Sequence, residues 1–426
     1  GAGIVDPMIV AALNPQSGRV EAIDYQLERL TSKAIKLANL RHKANADKRL
    51  TLFMWGSQDV GASFLNIPDS LYHIGERLHQ EGYQVAPHSG DYYTQRVDHI
   101  LDPFYRDYQL DELLQQDLAE LMPVQDYLSW FNQLPQSVTE PINAHWGKPQ
   151  DNFMAVKRDG VDYFVLPRIR NGNLLIMRQP PRSDKKDNES DIYHVGTVPI
   201  NHFYLAAYYY AREYWHSDAI IHLGTHGSQE YLGGKERGLS IFDQGNLAVW
   251  DTPVVYPFIV DDVGEAMQTK RRGRATVISH MTAPFAAAGL QGVMADIHEL
   301  MHQYDSLDEG GVKQRTGEQI HQRCIAENIC ADFGWSDPQI KADFAGFIQA
   351  LHEHLEEIAG TNQPLGLHSF GMLPEQALLT TTLVQMQGQD FIQQALAFER
   401  KHYQAHQDVH DGDNQAMTDE VALENT

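Results

Sequence analysis

A chain of 426 residues exceeds what one hydrophobic core supports, so two or three domains are expected. Its 42% hydrophobic and 21% charged residues fit an ordinary globular protein, and 33 basic against 57 acidic side chains leave a formal charge of −24 that opposes the phosphate backbone of nucleic acid. Nucleic acid is therefore not expected as a partner; with no apolar run of bilayer length and no basic, cleavable leader, a soluble cytoplasmic chain away from membranes is expected. The sequence opens on Gly1 rather than Met, which reads as a piece excised from something longer.

In chain order, residues 1–45 form an N-terminal helical lead-in, rich in Leu, Lys and Arg over 20–45. Residues 46–150 read as an α/β region: 49–55 is a buried strand, 56–61 a glycine-rich loop, and 68–82 a helix. Strand, glycine loop and helix in that order predict a parallel-sheet layer. The loop lacks the Lys-Ser or Lys-Thr ending of a phosphate cradle, so no nucleotide site is expected on this chain. Leu and Tyr at helical spacing over 108–134 predict a helical insert near 100–140.

Residues 151–290 return to α/β character. Extended runs fall at 163–166 and 174–177, and the charged stretch 182–190 reads as an exposed loop. A helix is predicted over 202–215, with Phe203, Leu205, Ala206 and Tyr209 facing a core. Strands follow at 219–223, 255–260 and 275–279, with a helix ending in Lys270, Arg271 and Arg272 before the last. Residues 291–405 are mainly helical, and the acidic tail 406–426 is expected to be disordered. The fold class is thus α/β, parallel-sheet layers with flanking helices and a mainly helical C-terminal region. Cys324 and Cys330, six residues apart on a helical segment, suit neither a disulfide framework nor a zinc knuckle and read as buried apolar side chains of a reducing compartment.

Chemistry concentrates in residues 218–240, where His222, His226 and Glu230 recur every four residues with Gly224 and Gly227 between them. A buried strand over 219–223 would end where the glycines turn the chain. Two neutral imidazoles and a carboxylate at a strand end can hold a borderline divalent metal such as zinc or cobalt. A buried histidine that is simply hydrogen-bonded leaves the same trace in a sequence.

Other constellations compete. His298-Glu-Leu-Met-His302 matches the His-Glu-x-x-His pattern of zinc peptidases, with Glu299 placed to activate a metal-bound water, but no third-ligand helix follows beyond a nominal Glu318. The pattern equally describes a solvated helix face. His402, His406 and His410 form a third run, at the end of a helix over 388–405 that should fray. Lys270, Arg271, Arg272 and Arg274, and separately Arg168, Arg170, Arg178 and Arg182, could hold a polycarboxylate or simply complement helix ends and surface acids.

Several separated segments agree with one family. His222-Leu-Gly-Thr-His-Gly-Ser-Gln-Glu-Tyr-Leu-Gly-Gly-Lys235 resembles the His-x-Gly-x-His-Gly-x-x-Glu-Trp-x-Pro-Gly-Lys signature of the large subunit of class I tetrapyrrole chelatases, CobN of cobaltochelatase and the H subunit of magnesium chelatase. Tyr256-Pro-Phe-Ile-Val-Asp-Asp-Val-Gly-Glu-Ala-Met-Gln-Thr-Lys-Arg-Arg272 is similar to a second run of that family. Gln179-Pro-Pro-Arg182, His202-Phe-Tyr-Leu205, Ile278-Ser-His-Met-Thr-Ala-Pro284 and Gly366-Leu-His-Ser-Phe-Gly371 follow in the family's order. Tyr231, Gly233 and Val263 depart from its usual Trp, Pro and Pro.

The resemblance implies a central fragment of a CobN-like chelatase, binding a tetrapyrrole and a divalent metal, cobalt foremost, with magnesium, zinc or iron as alternatives. It implies that His222, His226 and Glu230 act as metal ligands or proton acceptors at the floor of a pocket wide enough for a flat macrocycle. His202 and His368 would join the site, with His280 behind them, and Lys270, Arg271 and Arg272 would steer ring carboxylates. ATP would be hydrolysed by AAA+ partner subunits acting with an adaptor. Magnesium insertion, iron removal by a dechelatase, and a carrier without turnover remain alternatives, as does the peptidase.

Overall fold

The structure, a computed structural model, describes residues 6–55, 64–184, 196–224, 227–236, 238–260, 263–287, 292–360, 362–364 and 367–407. The chain divides into two compact units, Gly1–Ala283 with Leu367–Leu373, and Pro284–Gly366 with Pro374–Thr426.

The first unit is organised by a six-stranded sheet: β1 (Leu50–Met54), β2 (Ile169–Asn171), β3 (Leu174–Arg178), β4 (Ala219–Leu223), β5 (Val254–Ile259) and β6 (Ala275–His280), in the order β6-β5-β4-β1-β3-β2. Five strands run parallel and only β2 is antiparallel, folding back on β3. Every residue of β1 is buried, as a strand with parallel neighbours on both edges and covered faces requires. Its one polar member, Thr51, is satisfied by the Ser217 hydroxyl at 2.6 Å.

Strand order fixes where a ligand site can form. From β1 the chain steps to β3 on one side, crosses back to β4 on the other, and then moves outward through β5 and β6. The direction of winding therefore reverses between β1 and β4, and in an open parallel sheet the crevice beyond the carboxyl ends of such strands is the preferred ligand position. The predicted glycine loop over 56–61 lies outside the described residues.

Two sequence expectations change here. The insert is not wholly helical: helix Asp107–Gln115 gives way to strand Ala119–Pro123, which pairs with Val161–Pro167 in a separate three-stranded antiparallel sheet. Asp117 breaks the helix at φ +56, and buried Arg168 ties that turn down through Asp117 (2.5 Å) and Glu120 (2.9 Å). Pairing with a partner far along the chain overrides local helical spacing. The start of the supposedly exposed 182–190 loop is buried, because the Asn201 amide donates to the carbonyls of Pro181 and Ser183; residues 185–195 lie outside the described residues.

The second unit is built on helices, including Gly292–Ser306, Gly311–Ala326 and Phe344–Gly360, around a core of Ile297, Met301, Ile320, Phe347 and Leu351. Cys324 and Cys330 are buried as expected but are joined as a disulfide, against expectation. One continuous helix would set them about 9 Å apart along its axis. Instead Asn328, at φ +60, turns the chain and brings their Cα atoms to 5.3 Å. The tail from residue 408 onward lies outside the described residues.

Candidate functional site

His222 is the penultimate residue of β4, with its side chain wholly buried between Phe53 of β1, Tyr256 of β5 and Tyr208 of the helix His202–Tyr209. Its Nε2 lies 3.0 Å from the Tyr208 hydroxyl, and its Nδ1 has no hydrogen-bond partner among the described residues. Burial alone pushes the imidazole down to about 3, so it is neutral at any physiological pH. Leaving a buried polar atom unmatched costs about 1–3 kcal/mol, so its retention calls for an explanation.

Beyond β4 the chain turns at Gly224 (φ +154), and a single 3-10 turn, Gln229–Tyr231, brings Glu230 back toward the strand end. Glu230 is also fully buried, its Oε1 accepting from the Tyr256 hydroxyl at 2.5 Å and the Thr269 hydroxyl at 3.3 Å. Burial, then the adjacent Glu230 charge, holds the Tyr256 phenol well above its ordinary value, so it stays protonated and donating. Between the two groups stands Gly227: a Cβ there would lie 2.7 Å from His222 Nδ1 and 3.1 Å from Glu230 Oε2. The imidazole nitrogen and the carboxylate oxygen thus converge on one side-chain-free point. The turn is pinned by Gln179, whose Oε1 accepts from the Ser228 N–H at 2.6 Å, and by Gln229, which donates to the Gly273 carbonyl.

His226 lies outside the described residues. Among the described residues no three His, Cys, Asp or Glu side chains are arranged to hold a metal ion. His202 begins its helix with both ring nitrogens engaged, Nδ1 with the Tyr127 hydroxyl (3.0 Å) and Nε2 with the Gly147 carbonyl (3.2 Å), and burial pushes it down to about 4. His368 stacks on His280, at the end of β6, with ring centroids 5.4 Å apart, and Phe370 meets His280 edge-on. These two form a pair of their own. Lys270 is half-buried and Arg271 exposed, whereas Arg272 turns inward and donates to the Leu232 carbonyl beside the Glu230 turn.

The expected open floor is corrected: neither His222 nor Glu230 is exposed at all, because β1, β5 and the helix His202–Tyr209 close over them. Two hollows of about 470 and 480 Å³ lie against the helix Ile67–Gln80 and beside Trp130 and Trp250, and neither is lined by His222 or Glu230. Sequence reasoning missed Tyr208, and took Tyr256 and Thr269 only as parts of a motif. Tyr204 and Tyr208, four apart on a helix buried from His202 through Tyr208, were the available signal.

The profile of the CobN/Magnesium Chelatase family matches residues 1–425. The chain belongs to this family. It is 30% identical over 374 residues to the aerobic cobaltochelatase subunit CobN of Pseudomonas aeruginosa, covering 85% of this chain and 29% of that protein. It is 26% identical over 400 residues to the magnesium-chelatase subunit ChlH of rice, covering 91% and 28%. Among solved structures, the catalytic subunit of cobaltochelatase from Mycobacterium tuberculosis superposes with a TM-score of 0.73 at 27% identity, covering 89% of this chain and 32% of that one. The chain therefore spans about a third or less of these relatives' length. No described helix is long and apolar enough to cross a membrane.

Proposed function

We propose that this chain carries the metal-insertion centre of a cobaltochelatase-type large subunit, with His222 and Glu230 as its working pair and His226 as the third member. The carrying observation is the convergence of His222 Nδ1 and Glu230 Oε2 on Gly227, at the carboxyl edge where the winding reverses. Insertion requires an ion to shed water and a ring to lose two pyrrole protons. A neutral imidazole and a carboxylate can replace water on the ion, and the carboxylate can accept a proton. Burial of both removes competing water and strengthens every charge interaction at the pair. It also requires the site to open for the ring, so the arrangement described is a closed one.

The substrates are a corrin-type or porphyrin ring and a divalent metal, cobalt first. ATP hydrolysis belongs to AAA+ partner subunits working with an adaptor, in the cytoplasm. Arg272 supports the Glu230 turn through Leu232, while Lys270 and Arg271 remain available to ring carboxylates. Calorimetric titration with Co²⁺, Zn²⁺ and Mg²⁺, comparing the chain with a His222→Ala, His226→Ala double variant, tests the assignment. Binding that survives in the double variant refutes it; binding of ring and metal without turnover when partner subunits are added favours a carrier.

A further inference from the structure

We propose that the hollow beside Trp130 and Trp250 binds a planar aromatic carboxylate, with the ring against the aromatic wall and the carboxylate on the unpaired edge of the buried Arg212 guanidinium. This site is separate from the metal-handling pair. Arg212 and Trp250 stand before the first residues of β4 and β5, Ala219 and Val254, whereas His222 stands at the far end of β4.

The hollow encloses about 480 Å³ and is walled by Tyr25, Trp130, Tyr209, Phe242 and Trp250, a size and lining that suit a small organic molecule. Trp130 meets Tyr209 at 5.4 Å and Trp250 edge-on at 6.1 Å. Arg212, in the middle of the π-turn Tyr210–Tyr214, lies over both indoles, 5.2 Å from the Trp130 ring and 5.8 Å from the Trp250 ring, with its side chain 1% exposed. Its Nη1 donates to Glu213 Oε1 at 3.4 Å, and Glu213 is itself part of the wall, so the guanidinium stands one hydrogen bond behind the hollow. Nε and Nη2 have no hydrogen-bond partner among the described residues. Those two N–H groups share one edge of the guanidinium fork, the edge that grips a carboxylate side-on.

A buried cation with a bare edge is expensive to keep, and an apolar side chain of similar volume would pack there without the penalty. Burial pulls the guanidinium down to about 10, so it still carries its charge at neutral pH. The indole faces offset part of that charge but cannot accept the in-plane N–H groups. Asp251, whose field also reaches Arg212, is committed elsewhere, accepting from the Ser32 hydroxyl and from Lys36 at 2.5 Å each. A carboxylate satisfies both N–H groups and the charge together. Two acids on the rim, Glu28 and Glu213, weigh against a doubly charged phosphate and favour a single carboxylate. Trp250 adds a sign of its own: it is held at φ +55 and ψ −114, where bulky side chains rarely sit, by its N–H bond to the Asn246 carbonyl (2.7 Å) and by Arg274 donating to its carbonyl (3.2 Å). Strain of this kind gathers at ligand clamps.

Equilibrium dialysis of the whole chain against 2-naphthoate, with 2-naphthalenemethanol as the uncharged ring of matching size, tests the site. Wild type should bind the carboxylate about tenfold or more tighter than the alcohol. Arg212→Met should bring the carboxylate down to the level of the alcohol, leave the alcohol unchanged, and keep the urea midpoint equal or higher, whereas a purely structural arginine would lower it. Arg212→Lys, which keeps the charge but not the fork, should lose most of the preference as well. Glu213→Gln, at an exposed position, removes the competing acid and should tighten the carboxylate about twofold; it decides the matter if Arg212→Met does not fold. Naphthoate held no tighter than the alcohol by wild type, or an affinity unmoved by the Arg212 and Glu213 variants, overturns the inference.

Discussion

Two segments of this chain space a pair of histidines four residues apart with an acid close by, and the fold gives them opposite surroundings. On the helix Gly292–Ser306, His298 and His302 meet edge-on at 4.4 Å, with His352 stacked on His298 at 5.8 Å, and Glu299 is exposed and held by Gln303. In the 222–230 turn, His222 and Glu230 are buried on a strand end and aimed at one glycine. Spacing on a helix guarantees only a shared face. A strand that stops at a winding reversal, followed by a glycine turn, makes acid and imidazole converge where water is excluded.

The strongest way to break this contrast is Gly227→Ala. Its Cβ would press on His222 and Glu230 together, and neither can yield inside a packed core. A loss of about 1–3 kcal/mol in urea unfolding is expected. An unchanged midpoint would mean that the convergence does not hold in solution.

Acid sharpens the comparison next. A histidine held at about 3 in the fold and near 6.5 when unfolded favours the folded state fully above 6.5, and that contribution is lost as pH falls from there toward 3. Between pH 7 and 5 the loss from His222 alone is about 2 kcal/mol. His202 and His280, each pushed down to about 4 chiefly by burial, act in the same direction. His222→Gln should therefore flatten the pH dependence of the urea midpoint without abolishing it, and an unchanged slope would contradict the buried, neutral state.

Glu230→Ala should cost at least tenfold in Co²⁺ affinity, about 1.4 kcal/mol by calorimetry, whereas Glu299→Ala should change nothing. The reverse result would move the metal chemistry to the helix. Smallest of all, His302→Ala, at an exposed position, should leave stability within about 0.5 kcal/mol, as surface substitutions do.

Much of this was legible before any coordinates. The apolar runs that became β1, β3, β4 and β5 stand out because strands buried on both faces read as continuous hydrophobic stretches. The 222–235 signature identified the turn that carries Glu230. What stayed hidden depends on partners distant in sequence. The strand Ala119–Pro123 is extended only because Val161–Pro167 pairs with it, and the cysteines meet only because Asn328 adopts a left-handed conformation. The contacts that decide the state of His222 come from Tyr208, Phe53 and Tyr256, on three different elements, and no local pattern announces that they meet. The closed state of the pair was equally out of reach, since periodicity tells which face is apolar but not how much covers it.

Strand β1 has a bearing on protein engineering. It lies between β4 and β3, whose residues follow it by more than a hundred positions, so the middle of the sheet closes only after most of the unit has been synthesised. The signature is consequently not a portable cassette: transplanted without residues 50–54 and 202–209, it would carry its histidine and glutamate but none of the walls that keep them dry.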